Sequence, residues 1–591
     1  MIAIITGWVI ISFVLLSFGD MAVRLYNKLC KQKEEYNIPE IIMLGMCFIL
    51  IPLSLISFWF PLNKYILIAI MSVCIFYTLK QKRIISYYED IKAAFSRFTL
   101  TQKLITTGAV LSVFFYVLWQ VPIFDSSFYH HQNIRWNEEY PVIPGLGNLE
   151  DRFSFNSNYF LLSSVFSFRF LFGEPVYALQ STIFVCILFW TLKETFISNY
   201  RTMNVILLCF FIIFFFVNKI YFTNSSTDII PNLCSFYIIS KITLHPDCLK
   251  KNFLFITVLP FCLITFKLSV FPLVLLSLLT SIVYIKQKNI YYPVLFTSVF
   301  LFCVIGLWCV RNIIVSGYLI YPMHEIDIFS VDWKVPEAIS KIERWIVHGY
   351  GDIAFYEPFR ELKYYEYFFI DQKYRLFGYL FNIAGVFLVC ISPVFIIYSL
   401  FWRKKGCIVP YILYLICLSG ILYWYISAPD YRFSNGFIWG TIFITVIIML
   451  NKKEEINFWN KYGSITFMIA TTLIFLLSIK NTFNLYHSTT PDKLNTIYIY
   501  PYSSGTLSNV EVYKINDDSA FYLTDEIEGS NNEFPVIVRS GLPDLFYRNK
   551  IQNYKTVEMR GTSFKDGFRT KAKYINQLNQ KADSIVLTKF E

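Results

Sequence analysis

The stretch from Asn252 to Ile285, NFLFITVLPFCLITFKLSVFPLVLLSLLTSIVYI, decides how this chain is folded. A bilayer-spanning helix takes roughly 20 apolar residues, so a run this long is either one oversized helix or two spans. Pro272 deprives a helix of a hydrogen bond, and Lys267 is costly in lipid. The run therefore divides into spans at 252–266 and 268–285, and the chain returns to the side from which it came.

Similar apolar runs lie on both sides of it, at 2–19, 39–60, 63–79, 103–121, 176–197, 203–219 and 228–244, then at 290–310, 376–402, 408–428, 434–450 and 461–479. With the divided run they make about fourteen spans. The first, Ile2 to Phe18, has no basic leader and no small-residue cleavage site, so it reads as a retained helix and not a signal peptide.

Basic residues cluster in the connectors. Arg24, Lys28, Lys31 and Lys33 follow the first span, and Lys80, Lys82, Arg83, Lys92 and Arg97 follow the third. Lys250 with Lys251, Lys286 with Lys288, Arg403 to Lys405, and Lys452 with Lys453 complete the set. By the positive-inside rule these connectors are cytoplasmic. All of them fall on one side if 252–285 is two spans and if Tyr159 to Phe172 lies along the outer surface up to the turn Gly173-Glu174-Pro175. Both termini are then periplasmic, in a multi-pass protein of the bacterial inner (cytoplasmic) membrane.

Composition excludes the main alternatives. Apolar residues make up 55% of the chain and charged residues only 16%, which does not fit a soluble globular protein. The formal charge of +11 would suit nucleic acid, but the cations sit in short clusters between apolar runs and form no stripe, so no nucleic-acid partner is expected.

The expected fold is an all-α polytopic membrane protein with a small C-terminal α/β domain on the periplasmic side. Residues 1–102 form N-terminal transmembrane helices, 103–480 a core with outer loops at 122–175 and 312–375, and 481–591 the outer domain. None of the 13 Cys lies in the outer segments, so no disulfides are expected.

Chemistry-bearing residues gather in the first outer loop, Asp125-Ser-Ser-Phe-Tyr-His-His-Gln-Asn-Ile-Arg-Trp136. Asp125 stands just past a span, where a falling dielectric raises a carboxylate pKa toward that of a useful base. His130, His131, Glu138 and Glu139 can assist it or bind a divalent cation; the alternative is a loop that is merely polar and water-facing. Gly145 and Gly147 read as turn residues, not as a phosphate cradle.

Four further charges belong to the same face: Asp228 at the start of a span, Lys267 at the break, Arg311 in Trp308-Cys-Val-Arg-Asn312, and Arg432 in Ala428-Pro-Asp-Tyr-Arg-Phe433. Lys267, Arg311 and Arg432 together would bind a phosphate or pyrophosphate, unless each only snorkels to the headgroups.

In this layout and in these motifs the chain resembles the GT-C superfamily of membrane glycosyltransferases, in particular large bacterial members of uncharacterised specificity. Asp125 matches the acidic residue of their first outer loop, and Asn158 to Gly173 looks like the interfacial helix of that loop. Asp228 is similar to a second Asp that opens a later span. Trp308 to Asn312, with Ser316-Gly-Tyr-Leu-Ile-Tyr-Pro322, looks like the start of their second large loop, and the Ala428 to Phe433 segment resembles a late Pro/Arg motif. The likeness covers about residues 100–480. The chain departs from the pattern in having no acidic pair at Asp125 and three spans before that loop instead of one.

The resemblance implies transfer of a sugar from a polyprenyl-phosphate donor to a glycan or lipid acceptor at the periplasmic face, as in making a cell-surface polysaccharide. Asp125 and Asp228 would be catalytic, and Lys267, Arg311 and Arg432 would hold the donor phosphate. Tyr129, His130, Gln132 and Trp136 would contact sugar or acceptor, although Tyr129 and Trp136 read equally as interfacial anchors. A divalent cation, Mg2+ or Mn2+, would find candidate ligands in Asp125, His130 and His131. Besides membrane lipid, the expected partners are the lipid-linked sugar and its acceptor. The alternatives are a transporter or flippase of a lipid-linked saccharide, and a polysaccharide polymerase.

Overall fold

The computed structural model describes residues 1–118, 123, 125–288, 291–362, 373–402, 407–450, 457–488, 510–517, 519–524, 534–538 and 556–587. The basic clusters at Arg403 to Lys405 and Lys452 with Lys453 lie outside the described residues.

The chain begins with α1 (Ile2–Cys30), α2 (Ile38–Ile56), α3 (Lys64–Gln81), α4 (Arg83–Arg97) and α5 (Leu100–Val117). Next come the short helices α6 (His131–Glu139), α7 (Asn158–Val165) and α8 (Arg169–Phe172), then α9 (Leu179–Ile197), α10 (Thr202–Asn218) and α11 (Ile229–Leu244). They are followed by α12 (Cys248–Lys251), α13 (Phe253–Ile264), α14 (Val274–Lys288), α15 (Tyr292–Ser316) and α16 (Glu337–Leu362). The late helices are α17 (Lys373–Trp402), α18 (Val409–Ser427), α19 (Asn435–Met449) and α20 (Asn457–Ser488).

Local sequence sets the boundaries. Asn37 caps α2 in a reciprocal box with Glu40, Thr99 caps α5 with Gln102, and Gly317 ends α15 in the left-handed region at φ 84°.

Among the described residues ten segments are long and apolar enough to cross a membrane, including α1, α2, α3, α5, α15 and α18. Their outward faces expose Phe76, Leu79, Phe302 and Phe401, apolar surface that is stable only against lipid. The chain is a helical, multi-pass membrane protein. The other four predicted spans are also helical, but α11, α13 and α19 are shorter, and α9 carries Lys193 and Glu194 near its end. Nearly every residue of α11, α13 and α19 is buried, so these helices are enclosed by protein. The divided run forms α13 and α14, joined by an extended Lys267 and a 3-10 turn, Leu268–Leu273.

One local expectation needs correcting. The segment 159–172 is not laid along a surface throughout: every residue of α7 is buried, because α2, α3 and α6 pack over it, whereas Phe170 and Leu171 of α8 are exposed. Asp20 is buried, and the basic connector after α3 holds the amphipathic α4, whose Tyr87 and Arg83 reach that carboxylate. The second large loop, 312–375, contains the long α16.

Small residues let the helices approach closely. A Cβ on Gly45 would lie 1.9 Å from the Leu15 carbonyl oxygen, and one on Gly19 would lie 1.9 Å from that of Ile41, so α1 and α2 touch backbone to backbone. Gly45→Val is expected to cost about 1–3 kcal/mol by overpacking. Thermal unfolding in detergent should show a lowered midpoint; an unchanged midpoint would refute the close packing.

The C-terminal part is a small α/β unit. β1 (Val510–Lys514) pairs antiparallel with β2 (Ala520–Thr524), which pairs parallel with β3 (Val536–Val538). β4 (Val557–Met559) and β5 (Phe568–Thr570) form an antiparallel pair, followed by α21 (Ala572–Leu587). The unit rests on the loops at one end of the bundle. Phe568 N donates to Pro144 O at 2.9 Å, Thr570 bonds Asn148 at 2.8 Å, and Arg560 pairs with Asp332. Leu578 of α21 packs on Ile339, Ile342 and Ile346 of α16.

Candidate functional site

Six charged residues from separate segments meet at this loop-bearing end. Asp125 precedes a single π-helical turn, Ser126–His130, that runs into α6, and Arg152 lies in a 3-10 turn, Asp151–Ser154. Asp228 is the residue before α11, Lys267 stands at the α13 break, Glu343 is in α16, and Arg432 sits in the turn Tyr431–Phe433 between α18 and α19.

Asn232 holds two of these segments together. Its amide nitrogen donates to Asp228 O at 2.9 Å and to Arg432 O at 2.8 Å, and its oxygen accepts from Gly436 N at 2.8 Å. From the other side α16 seats on the same turn: a Cβ on Gly351 would lie 2.5 Å from Pro429 N, and Phe355 stacks on Tyr431 with centroids 5.5 Å apart.

The charges alternate. Asp125 takes Arg432 Nη1 at 2.7 Å on one oxygen and Arg152 Nη1 at 3.1 Å on the other. Arg152 Nε pairs with the fully buried Glu343 at 3.0 Å. Arg432 Nε pairs with Asp430 at 2.7 Å and lies 3.8 Å from Asp228, which pairs with Lys267 at 2.8 Å. Lys267 and Arg432 both lie over the Phe433 ring, at 4.2 and 4.8 Å from its centroid.

The expected upward shift of Asp125 is reversed. Burial does raise its carboxyl, but the adjacent Arg432 and Arg152 outweigh burial and hold it well below the usual carboxylate range. Arg432 is held still more firmly protonated, because Asp125, Asp430 and Asp228 outweigh its own burial. Burial keeps Asp430 above the ordinary carboxylate value against the pull of Arg432.

The cluster borders a cavity of about 850 Å³. Asp125, Arg152, Lys267, Asp430 and Arg432 line it together with Tyr129, Phe155, Trp308, Asn312 and Tyr321. Ile426 of α18 lines the cavity and is 63% exposed, so the wall there reaches the apolar exterior.

Other expected residues lie elsewhere. Arg311 faces inward, bonding Ser57 Oγ, Asn137 Oδ1 at 2.9 Å and Asn156 Oδ1 at 3.2 Å, so it braces the loop behind the cavity wall and does not join Lys267 and Arg432. Trp136 is enclosed by Phe534, Phe564 and Phe568 of the C-terminal unit, and Gln132 accepts from Val536 N at 3.0 Å, so both are docking residues. His131 stacks flat on Tyr177. His130 lies behind Tyr129, and burial lowers its pKa to about 3, which leaves it neutral. Among the described residues no three His, Cys, Asp or Glu are placed to hold a metal ion. Asp125, His130 and His131 do not converge, because Arg432 and Arg152 occupy both oxygens of Asp125.

Arg152, Glu343 and Asp430 were not singled out by sequence. Asp430 lies within the quoted Ala428 to Phe433 motif, and Arg152 lies in the same outer loop as Asp125. For Glu343 the sequence holds no signal beyond a charge in a polar loop.

Fold and site together define a helical multi-pass membrane protein with a charged, partly apolar cavity at one end. The chain belongs to the family described as a domain of unknown function, DUF8201, whose model matches residues 1–439 and so takes in all six clustered charges. No curated protein and no solved structure matches it.

Proposed function

We propose that the cavity is the active site of a GT-C-like membrane glycosyltransferase that moves a sugar from a polyprenyl-phosphate donor to a glycan or lipid acceptor. One observation carries this reading: Asp125, Lys267 and Arg432, with Asp228 paired to Lys267, come from four distant segments to one cavity whose wall reaches the apolar exterior at Ile426. An amphiphile with an anionic head and a long apolar tail fits both features. On the same reading α9, α11, α13 and α19 also span, which makes about fourteen crossings. The cavity and both termini then face the periplasm of a bacterial inner membrane.

The acceptor hydroxyl oxygen attacks the anomeric carbon, and Asp125 takes its proton. The bond from that carbon to the phosphate oxygen breaks, its electron pair stays on the phosphate, and one displacement inverts the centre. Lys267 and Arg432 neutralise the departing lipid phosphate. Asp228, which holds Lys267 at 2.8 Å, sets that cation's position. At rest both cations are satisfied by carboxylates. An incoming phosphate shares Arg432 and loosens its hold on Asp125, so donor binding itself makes Asp125 a better base.

Binding of bare polyprenyl phosphate to the full chain in nanodiscs tests the anionic site. Lys267→Met and Arg432→Gln should each weaken it about 10- to 100-fold, as expected for a charge-assisted bond. Affinities unchanged by both substitutions would refute the reading.

A further inference from the structure

Asn312 ends the Trp308 to Asn312 motif and is 2% exposed on the cavity wall, yet its amide nitrogen makes no hydrogen bond to any described residue. A buried amide N–H without a partner is costly, and on a cavity wall a ligand relieves that cost. Its surroundings limit what the ligand can be. Trp308, one turn earlier, is itself fixed by donating from Nε1 to Asn156 O at 2.6 Å. The rings of Tyr129, Phe155 and Tyr321 form a continuous aromatic wall, with centroids 5.9 Å apart between the first pair and 5.6 Å between the second. Flat apolar faces beside an unpartnered buried amide suit a compact ring that carries hydroxyls on its edge and C–H groups on its faces. Arg152 lies over the Tyr129 ring at 5.5 Å from its centroid, so this wall runs up to the ionic cluster.

We propose that Asn312 donates a hydrogen bond to a hydroxyl of a sugar ring seated against this aromatic wall, and so is a sugar-recognition residue of the cavity. The proposal rests on reading the cavity as a site for a lipid-linked saccharide. It adds a division of labour: the ionic cluster holds the phosphate, and the wall around Asn312 selects the sugar.

The test uses the full chain in nanodiscs and two kinds of probe, bare polyprenyl phosphate and the same lipid carrying glucose, mannose, galactose or arabinose. Wild type should bind at least one conjugate about tenfold more tightly than the bare lipid. Asn312→Leu, nearly isosteric and uncharged but with no N–H to donate, should abolish that difference and leave bare-lipid affinity within about twofold. Asn312→Ala is the second variant should Leu disturb folding, with thermal unfolding as the check on both. Equal losses for bare and glycosylated lipid would overturn the proposal, because Asn312 would then serve the phosphate or the fold. So would a wild type that prefers no conjugate, which leaves the lipid-phosphate reading standing. Bare-lipid binding that ignores Lys267→Met and Arg432→Gln, or no binding of any lipid phosphate, would overturn both.

Discussion

Asp125→Asn is expected to lower sugar transfer by about 10²- to 10⁴-fold, the usual contribution of a positioned general base. The substitution keeps the shape of the side chain and removes its capacity to accept a proton. The variant should still fold, because Arg432 retains Asp430 at 2.7 Å and Arg152 retains Glu343 at 3.0 Å. The pH profile gives a second check. In the free protein Arg432 and Arg152, against burial, hold Asp125 below the ordinary carboxylate range, so it stays ionised well into acid. The acid limb of kcat/KM, which reports the free enzyme, should therefore lie below the usual carboxylate range. Once donor phosphate shares Arg432, the pull on Asp125 weakens, and the acid limb of kcat should lie at higher pH. Coincident limbs would mean that Arg432 is not shared with the donor.

Arg432→Gln is expected to have the largest effect on stability, about 3–5 kcal/mol, because it strips a partly buried cation from between carboxylates. Asp125, Asp228 and Asp430 all face Arg432 within 3.8 Å. Without it Asp125 keeps Arg152 and Asp228 keeps Lys267, but Asp430 loses its salt bridge. Arg432→Lys should recover only part of the loss, since a single ammonium cannot reproduce the guanidinium fork.

The sign of the pH response separates the two proteins. In wild type the depressed carboxyl of Asp125 contributes stability that is present above its unfolded value, about 3.9, and is lost as pH falls through the folded value. In Arg432→Gln the crowded carboxylates repel, so acidification relieves them. Melting midpoints measured from neutral to mildly acid pH should converge on the acid side, and parallel curves would contradict this charge arrangement.

Much of this was legible in the sequence for an identifiable reason. A charge inside an apolar run is rare because lipid makes it costly, which is why Asp228, Lys267 and Arg432 stood out; all three border the cluster. Pro272 and Lys267 likewise marked the break between α13 and α14. Arg311 looked the same by that criterion yet turns toward Ser57 and Asn137, because the end of a helix has an inner and an outer side that spacing does not distinguish. Arg152 and Glu343 lie in polar loops, where charges are common and carry no signal. The electrostatics of Asp125 depend on residues 27 and hundreds of positions away, so its downward shift required the fold. Trp136 and Gln132 read as a ligand surface because nothing local revealed that the C-terminal unit would cover them.

The most direct test of the central claim is transfer of radiolabelled sugar. Membranes containing the wild-type chain would be given a panel of polyprenyl-phosphate-linked sugars, with Asp125→Asn at matched expression as the control. The account predicts that label from at least one donor passes to a lipid or glycan acceptor in wild type and is all but lost in Asp125→Asn. Transfer that survives the substitution undiminished, or its absence from wild type across the whole panel, would contradict it.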